Sequence, residues 1–222
     1  MAIPAYEAAG TVGDVVERCR AIVAEVVVID DGSHDGTADA AREAGAEVHR
    51  LPINRGKGSA VAQAFRILFA RGVSAVITVD ADGQHVPEEI PRLIAASVDA
   101  DLVLGTRDHL FTGMSVARRT ANRLSSRAIS VAAGGRFLDV QAGFRLYTSR
   151  LIEGTGYPEG RFEAESALLV RAVRRGFRVR TTPVGLATAD GRATSHYRPL
   201  VDSLRIAVAV VRARVEPVRR VG

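Results

Sequence analysis

Between residues 25 and 105 short β-branched runs alternate with stretches of helical period, and this alternation restricts the chain to few folds. Glu25-Val26-Val27-Val28-Ile29-Asp30 reads as a buried strand, and residues 36–45 as a short helix ending on glycine. Residues 46–51 read as a second strand, 59–70 as an amphipathic helix, 74–80 as a strand, 87–96 as a helix and 101–105 as a strand. Strands separated by helices predict a mostly parallel sheet covered on both faces, a Rossmann-like α/β fold. Beyond Asp108 the pattern loosens. It predicts a helix near 115–132, a hairpin-like stretch near 141–147, a helix over 163–174, a strand over 178–184 and a closing helix over 200–214.

With 222 residues, one domain is expected, spanning 1–215 with a basic tail at 216–222. The lone Cys19 has no intramolecular disulfide partner and lies in a helical pattern, as a small structural thiol would. Met1 to Tyr6 show no basic segment followed by an apolar core, so no signal peptide is expected. Apolar runs such as 206–211 fall short of the roughly 20 residues that span a bilayer. The expectation is a cytoplasmic protein, soluble or peripheral on the inner face of the cytoplasmic membrane.

The formal charge is +5, and arginine supplies nearly all the positive charge. A basic surface suits nucleic acid, anionic lipid or a phosphorylated small molecule. No helix-turn-helix, zinc-finger or aromatic RNA-binding pattern is present, which argues against nucleic acid as a partner.

In open α/β sheets ligands gather at the carboxyl ends of strands. Three expected strands end in polar clusters there: Asp30-Asp31-Gly32-Ser33, Asp80-Ala81-Asp82-Gly83 and Gly105-Thr106-Arg107-Asp108. Asp80, Asp82 and Gln84 alternate along an extended segment and so share a face. Hard oxygen ligands of this kind suit Mg2+ or Mn2+ better than zinc, although a solvated acidic turn would also read Asp-x-Asp. Asp30 and Asp31 are candidates to contact a ribose or base, while Asp35 or Thr37 is expected to cap the next helix. Asn54-Arg55-Gly56-Lys57-Gly58 holds the only lysine of the chain, a candidate compact charge near phosphate. It lacks the spacing of a Walker A loop, and the Gly-x-Gly-x-x-Gly of a dinucleotide site is absent.

These segments occur in order with Ile3-Pro4-Ala5-Tyr6 ahead of them and Gln141-Ala142-Gly143-Phe144-Arg145 behind. Together they resemble the family 2 inverting glycosyltransferases of GT-A fold, and within them the polyprenyl-phosphate glycosyltransferases of the dolichyl-phosphate mannose synthase type. The resemblance covers about residues 1–210. It implies a UDP- or GDP-sugar donor, a polyprenyl phosphate acceptor and a divalent cation held by Asp80, Asp82 and Gln84. It places the nucleotide on Pro4, Tyr6, Asp31 and Lys57, and matches Arg107 and Arg118 to the arginines that hold the acceptor phosphate. Guanidinium groups grip phosphate in paired hydrogen bonds, so the chemistry agrees. A solvated face next to Arg119 is the plainer reading of Arg118.

Asp139, Gln141 and Gly143 match the acceptor-side turn of the family, and Arg192, with Ser195 and His196, a segment that closes over the donor diphosphate. Glu165 matches an acid near the base position of other family 2 enzymes. A hydroxyl acceptor needs a general base and an anionic phosphate does not. Glu165 therefore reads either as a base for a hydroxyl acceptor, or as a group that orients Arg107 or stabilises a helix N-terminus. A non-catalytic nucleotide-sugar-binding subunit is the reading outside enzymes. The familiar Pro-x-Tyr-Asn-Glu becomes Pro4-Ala5-Tyr6-Glu7-Ala8, which blurs one acid contact with the nucleotide. The closing helix places Leu200, Leu204, Ala207, Val208 and Val211 on one stripe beside Arg205 and Arg212. That stripe is expected to pack on the core, with contact to a membrane surface as the alternative.

Overall fold

A computed structural model describes residues 1–107, 116–137, 139–140, 142–158, 160–186 and 199–217, without the side chains of 116–119, 121–122 and 199–200. Seven strands form one sheet: β1 (Ala2–Ala5), β2 (Val27–Asp30), β3 (Glu47–Arg50), β4 (Ala75–Thr78), β5 (Leu102–Thr106), β6 (Arg145–Thr148) and β7 (Val179–Pro183). Their order is β3-β2-β1-β4-β6-β5-β7. All pairs are parallel except those of β6, which runs antiparallel to both β4 and β5.

Side chains alternate across the sheet with the period of an extended chain and divide the core in two. Val27, Ile29, Leu102 and Leu104 face one layer, which contains α3 (Lys57–Ala70), α5 (Val116–Ala133), α6 (Ser149–Thr155), α7 (Glu163–Arg174) and α8 (Pro199–Val215). Ile3, Val28, Val103 and Leu146 face the other, built on α1 (Val12–Arg20), α2 (Thr37–Glu43) and α4 (Ile90–Ala96). Cys19 lies within this second core, fully buried. Strands walled on both faces explain why the sequence shows continuous β-branched runs there, not strict alternation.

The hairpin expected near 141–147 does not form. Arg145–Thr148 is an interior strand whose two edges are satisfied by β4 and β5, distant neighbours in sequence, so no local turn signal accompanies it. Helix α6 follows at once, capped by Thr148 Oγ1, which accepts the Leu151 N–H at 3.2 Å. Asp35 acts just ahead of α2: Gly36 occupies the N-cap, and Asp35 Oδ1 accepts the Thr37 N–H at 2.9 Å.

The terminal helix also differs from expectation. Its core face is Ile206, Val210 and Ala213 with the buried Asp202, whereas Leu204, Ala207, Val208 and Val211 face outward. The apolar residues of α8 occupy two faces, and the one tied to the core is set by packing on α7.

Candidate active site

The carboxyl ends of β1, β2 and β4 lie side by side, so Tyr6, Asp31 and Asp80 issue from one rim of the sheet. Because β6 runs the other way, its entry brings Ala142-Gly143-Phe144 to the same rim.

The turn after β2 is built for close approach. Gly32 has a φ of +76°, and a β-carbon there would lie 2.8 Å from the Asn54 nitrogen. The turn therefore packs backbone to backbone on the 53–56 loop. Asp31 fastens the contact, its carboxylate accepting the N–H groups of Arg55 at 2.8 Å and Gly56 at 2.7 Å. Burial raises the Asp31 carboxyl above the usual range, against these two donors. Asp30 is buried too and accepts the Ser33 N–H at 2.9 Å, with Arg50 Nε 3.3 Å from its other oxygen. Asp31 thus shapes the loop that launches α3, and Asp30 the turn that follows β2.

Lys57 opens α3. Its Nζ lies 2.6 Å from Asp80 Oδ1 and 3.1 Å from Glu165 Oε1. Gly58 makes this possible, since a β-carbon there would meet Ala164 Cβ at 2.6 Å, so only glycine lets α3 approach the start of α7. Glu165 is held from its other side by Arg145, whose Nη2 stands 3.6 Å from Glu165 Oε2. Arg145 is itself 1 % exposed and donates to the carbonyls of Val140 (2.7 Å), Ala142 (2.8 Å) and Glu165 (3.1 Å). Its guanidinium therefore fixes the turn before β6 onto α7. Thr78 Oγ1 adds a bond to the Gly143 carbonyl at 2.7 Å.

Burial opposes charge on Lys57 and Asp80, and mutual attraction overrides it. Burial would lower the Lys57 ammonium, but Asp80 and Glu165 raise it above the ordinary lysine range. Burial would likewise raise the Asp80 carboxyl, yet Lys57 and the buried His85, with Nε2 at 3.5 Å, hold it well below the usual value. Asp82 differs. Burial and then the neighbouring Asp80 charge push its carboxyl upward, and no basic side chain pairs with it among the described residues. Its Oδ1 accepts the Gln84 N–H at 3.0 Å.

Two carboxylates and an amide oxygen on one turn, with one carboxylate lacking a counter-charge, fit a hard divalent cation. Asp80, Asp82 and Gln84 are the residues that would hold it. Among the described residues no group of three or more His, Cys, Asp or Glu side chains forms a ready metal cage, so the remaining ligands would come from substrate oxygens and water.

Arg107, just beyond β5, is oriented by Asp139: its backbone N–H and Nε donate to Oδ2 at 3.0 and 2.9 Å, and Nη2 to Oδ1 at 3.4 Å. The expectation that Glu165 orients Arg107 is therefore replaced, because Asp139 does so and Glu165 serves Lys57 and Arg145. The side chain of Arg118 lies outside the described residues, as do Gln141, Arg192, Ser195 and His196. Pro4 and Tyr6 sit half-buried at the rim beside Asp30 and Asp31. The roles of Arg145 and His85 were not assigned from sequence. An arginine inside an otherwise apolar strand run was the available signal for the first, and none marked the second.

The description glycosyl transferase family 2 matches residues 1–155 of the chain. The undecaprenyl-phosphate mannosyltransferase of Micrococcus luteus is 34 % identical over 196 residues, covering 82 % of this chain and 80 % of that protein. The polyprenol monophosphomannose synthase of Mycolicibacterium smegmatis is 31 % identical over 192 residues, covering 78 % of this chain and 69 % of its own. In fold, the chain is similar to glucosyl-3-phosphoglycerate synthase from Mycobacterium tuberculosis, a crystal structure in complex with Mn2+, uridine diphosphate and phosphoglyceric acid. The TM-score is 0.75 at 21 % identity, over 97 % of this chain and 78 % of that one. The sheet order, the rim that gathers Asp31, Lys57 and Asp80, and these likenesses agree: the fold is GT-A, and the chain belongs to glycosyl transferase family 2, a glycosyltransferase.

Proposed function

We propose that the protein transfers one sugar from a UDP- or GDP-sugar to a polyprenyl phosphate, with inversion at the anomeric carbon and with Mg2+ or Mn2+ bound at Asp80, Asp82 and Gln84. The names of the two relatives above support the acceptor class, and the geometry supports it independently. The observation that carries it is the position of Glu165, buried between Lys57 and Arg145. A carboxylate committed to two cations does not stand free to take a proton from an incoming hydroxyl. An acceptor that is already anionic needs no such base.

In this reading the nucleotide lies over Pro4, Tyr6, Asp30 and the loop that Asp31 fastens. Lys57 stabilises the Asp80 side of the diphosphate site, and Arg192 adds a further phosphate contact. Arg107, set by Asp139, and Arg118 hold the acceptor phosphate. One phosphate oxygen attacks the anomeric carbon as the bond from that carbon to the diphosphate oxygen breaks, and the bonding pair leaves on the nucleoside diphosphate. A bound divalent cation supplies neutralisation of that departing charge.

The test is a transfer assay with Mn2+, a panel of UDP- and GDP-sugars, and either a polyprenyl phosphate or the corresponding free polyprenol, read by mass spectrometry. Transfer to the phosphate alone is expected, and the Glu165→Gln protein should retain measurable transfer to it. Transfer to the free alcohol that Glu165→Gln abolishes would overturn the reading in favour of a hydroxyl acceptor.

A further inference from the structure

Ten large apolar side chains are exposed among the described residues, and seven of them lie on two helices: Leu124 and Val131 on α5, and Val201, Leu204, Val208, Val211 and Val215 on α8. At ~100° per residue the five on α8 fall on one face, opposite the buried Asp202, Ile206, Val210 and Ala213. Leu204 is 67 % exposed and Val131 75 %. The two helices belong to one layer, both packed on α7 and in contact with each other.

The exposed charge on these two helices has one sign. Helix α5 contains no acidic residue, and the one acid of α8, Asp202, is buried and paired with Arg205 at 3.3 Å. Arg212 and Arg214 border the exposed α8 stripe. Along α5, Arg123 and Arg127 join Arg136 around a groove also lined by Val131 and Phe137. None of these three guanidiniums has a carboxylate partner among the described residues. Isolated exposed leucines and valines are ordinary on a protein surface. Seven concentrated on adjoining helices, bordered by arginines with no exposed acid, match the layered chemistry of an anionic bilayer: phosphate outside, hydrocarbon beneath.

We propose that the outer faces of α5 and α8 form a docking surface for an anionic phospholipid membrane, with lipid phosphates received in the Arg123–Arg127–Arg136 groove and the α8 stripe inserted among the acyl chains. The groove backs onto the acceptor side of the site. Ser126 Oγ on its wall accepts the Val140 N–H at 3.3 Å, and the adjoining Asp139 is the residue that orients Arg107. Docking here would bring the Arg107 region towards the head-group plane. Only this purpose rests on the polyprenyl phosphate reading; the docking itself is a separate property.

The test is flotation of the purified full chain with vesicles that contain no polyprenyl phosphate, comparing phosphatidylglycerol-rich with pure phosphatidylcholine vesicles. Binding to the anionic vesicles, released by salt, is expected, with little to the neutral ones. The Arg123→Ala/Arg127→Ala/Arg136→Ala protein should partition on the order of 100-fold more weakly, at about a kcal/mol for each arginine near the surface. Leu204→Glu/Val208→Glu/Val211→Glu should abolish flotation while leaving the thermal midpoint unchanged, since all three side chains are exposed. Equal binding to neutral vesicles, or anionic binding untouched by both triple variants, would overturn the proposal. So would absence of flotation together with a solution dimer that Leu204→Glu dissociates, which would identify the stripe's occupant as a second copy. Transfer to a short-chain, water-soluble polyprenyl phosphate separates the two readings: it survives if only docking fails, and flotation survives if only the acceptor assignment fails.

Discussion

Lys57 meets Asp80 at 2.6 Å directly beneath the α-carbon of Gly143. A β-carbon on Gly143 would overlap both the Lys57 Nζ and Asp80 Oδ1, the latter at 2.6 Å. Retreat is opposed on every side, because Lys57 is also tied to Glu165, Asp80 to His85, and the Gly143 carbonyl to Thr78.

Gly143→Ala is therefore expected to displace the ion pair and lower kcat/KM by about 100-fold, the scale of a misplacement near 1 Å at a reacting centre. Overpacking should cost about 1–3 kcal/mol of stability as well. Steady-state kinetics beside a urea melt will show both, and an unaltered kcat/KM would remove the glycine from the argument.

Asp82→Asn separates function from fold. A carboxyl raised by burial and by Asp80 takes up its proton more readily folded than unfolded, so its ionisation erodes stability as pH rises from the unfolded value through the folded one. Without divalent cation the asparagine protein should therefore melt at or above the parent temperature near neutral pH, while turnover is lost. Added Mn2+ should raise the melting point of the parent and not of the variant. Parental activity in the variant, or undiminished parental activity in EDTA, would exclude the cation site.

Arg145 holds three carbonyls and a carboxylate in a place solvent does not reach. Arg145→Met should cost about 3–5 kcal/mol, as removal of one partner from a buried pair does. Chemical denaturation measures it, and a loss below about 1 kcal/mol would show that the surrounding carbonyls find other partners.

Cys19 is fully buried and its thiol is pushed up to about 12, chiefly by burial. A thiol with so little thiolate reacts slowly. Native protein should resist alkylation by iodoacetamide at pH 8, and label promptly in denaturant. Mass spectrometry reads the difference, and rapid native labelling would mean that α1 opens readily from the sheet.

The elements from β2 to β5 were legible mainly from local signals: a β-branched run at β2 and β4, and a glycine just past α2 and α3. The carboxylates at the ends of β2 and β4 were legible for the same reason. What escaped was set by distant partners. Arg145–Thr148 is a strand because two remote strands flank it, and nothing within those four residues announces that. The grip of Asp31 on the Arg55 and Gly56 amides joins loops 24 and 25 residues apart, and nothing local announces it. The stripe on α8 was correct as a periodicity and reversed in direction, because period alone does not say which of two apolar faces meets α7.

The reversed direction of β6 has a consequence for how such enzymes can diversify. Strand β5 leaves the sheet, and β6 re-enters it, at the same rim, so the residues between Thr106 and Arg145 form an excursion tethered at both ends within one hydrogen-bonded pair. Its exposed positions can change without shifting the register of any strand, whereas Ile129, Ala133, Phe137 and Val140 are tied to the core. In the proposed function the half of the rim assigned to the acceptor is thus carried by this excursion, while the half that carries Asp31, Lys57 and Asp80 is built into the sheet and the start of α3.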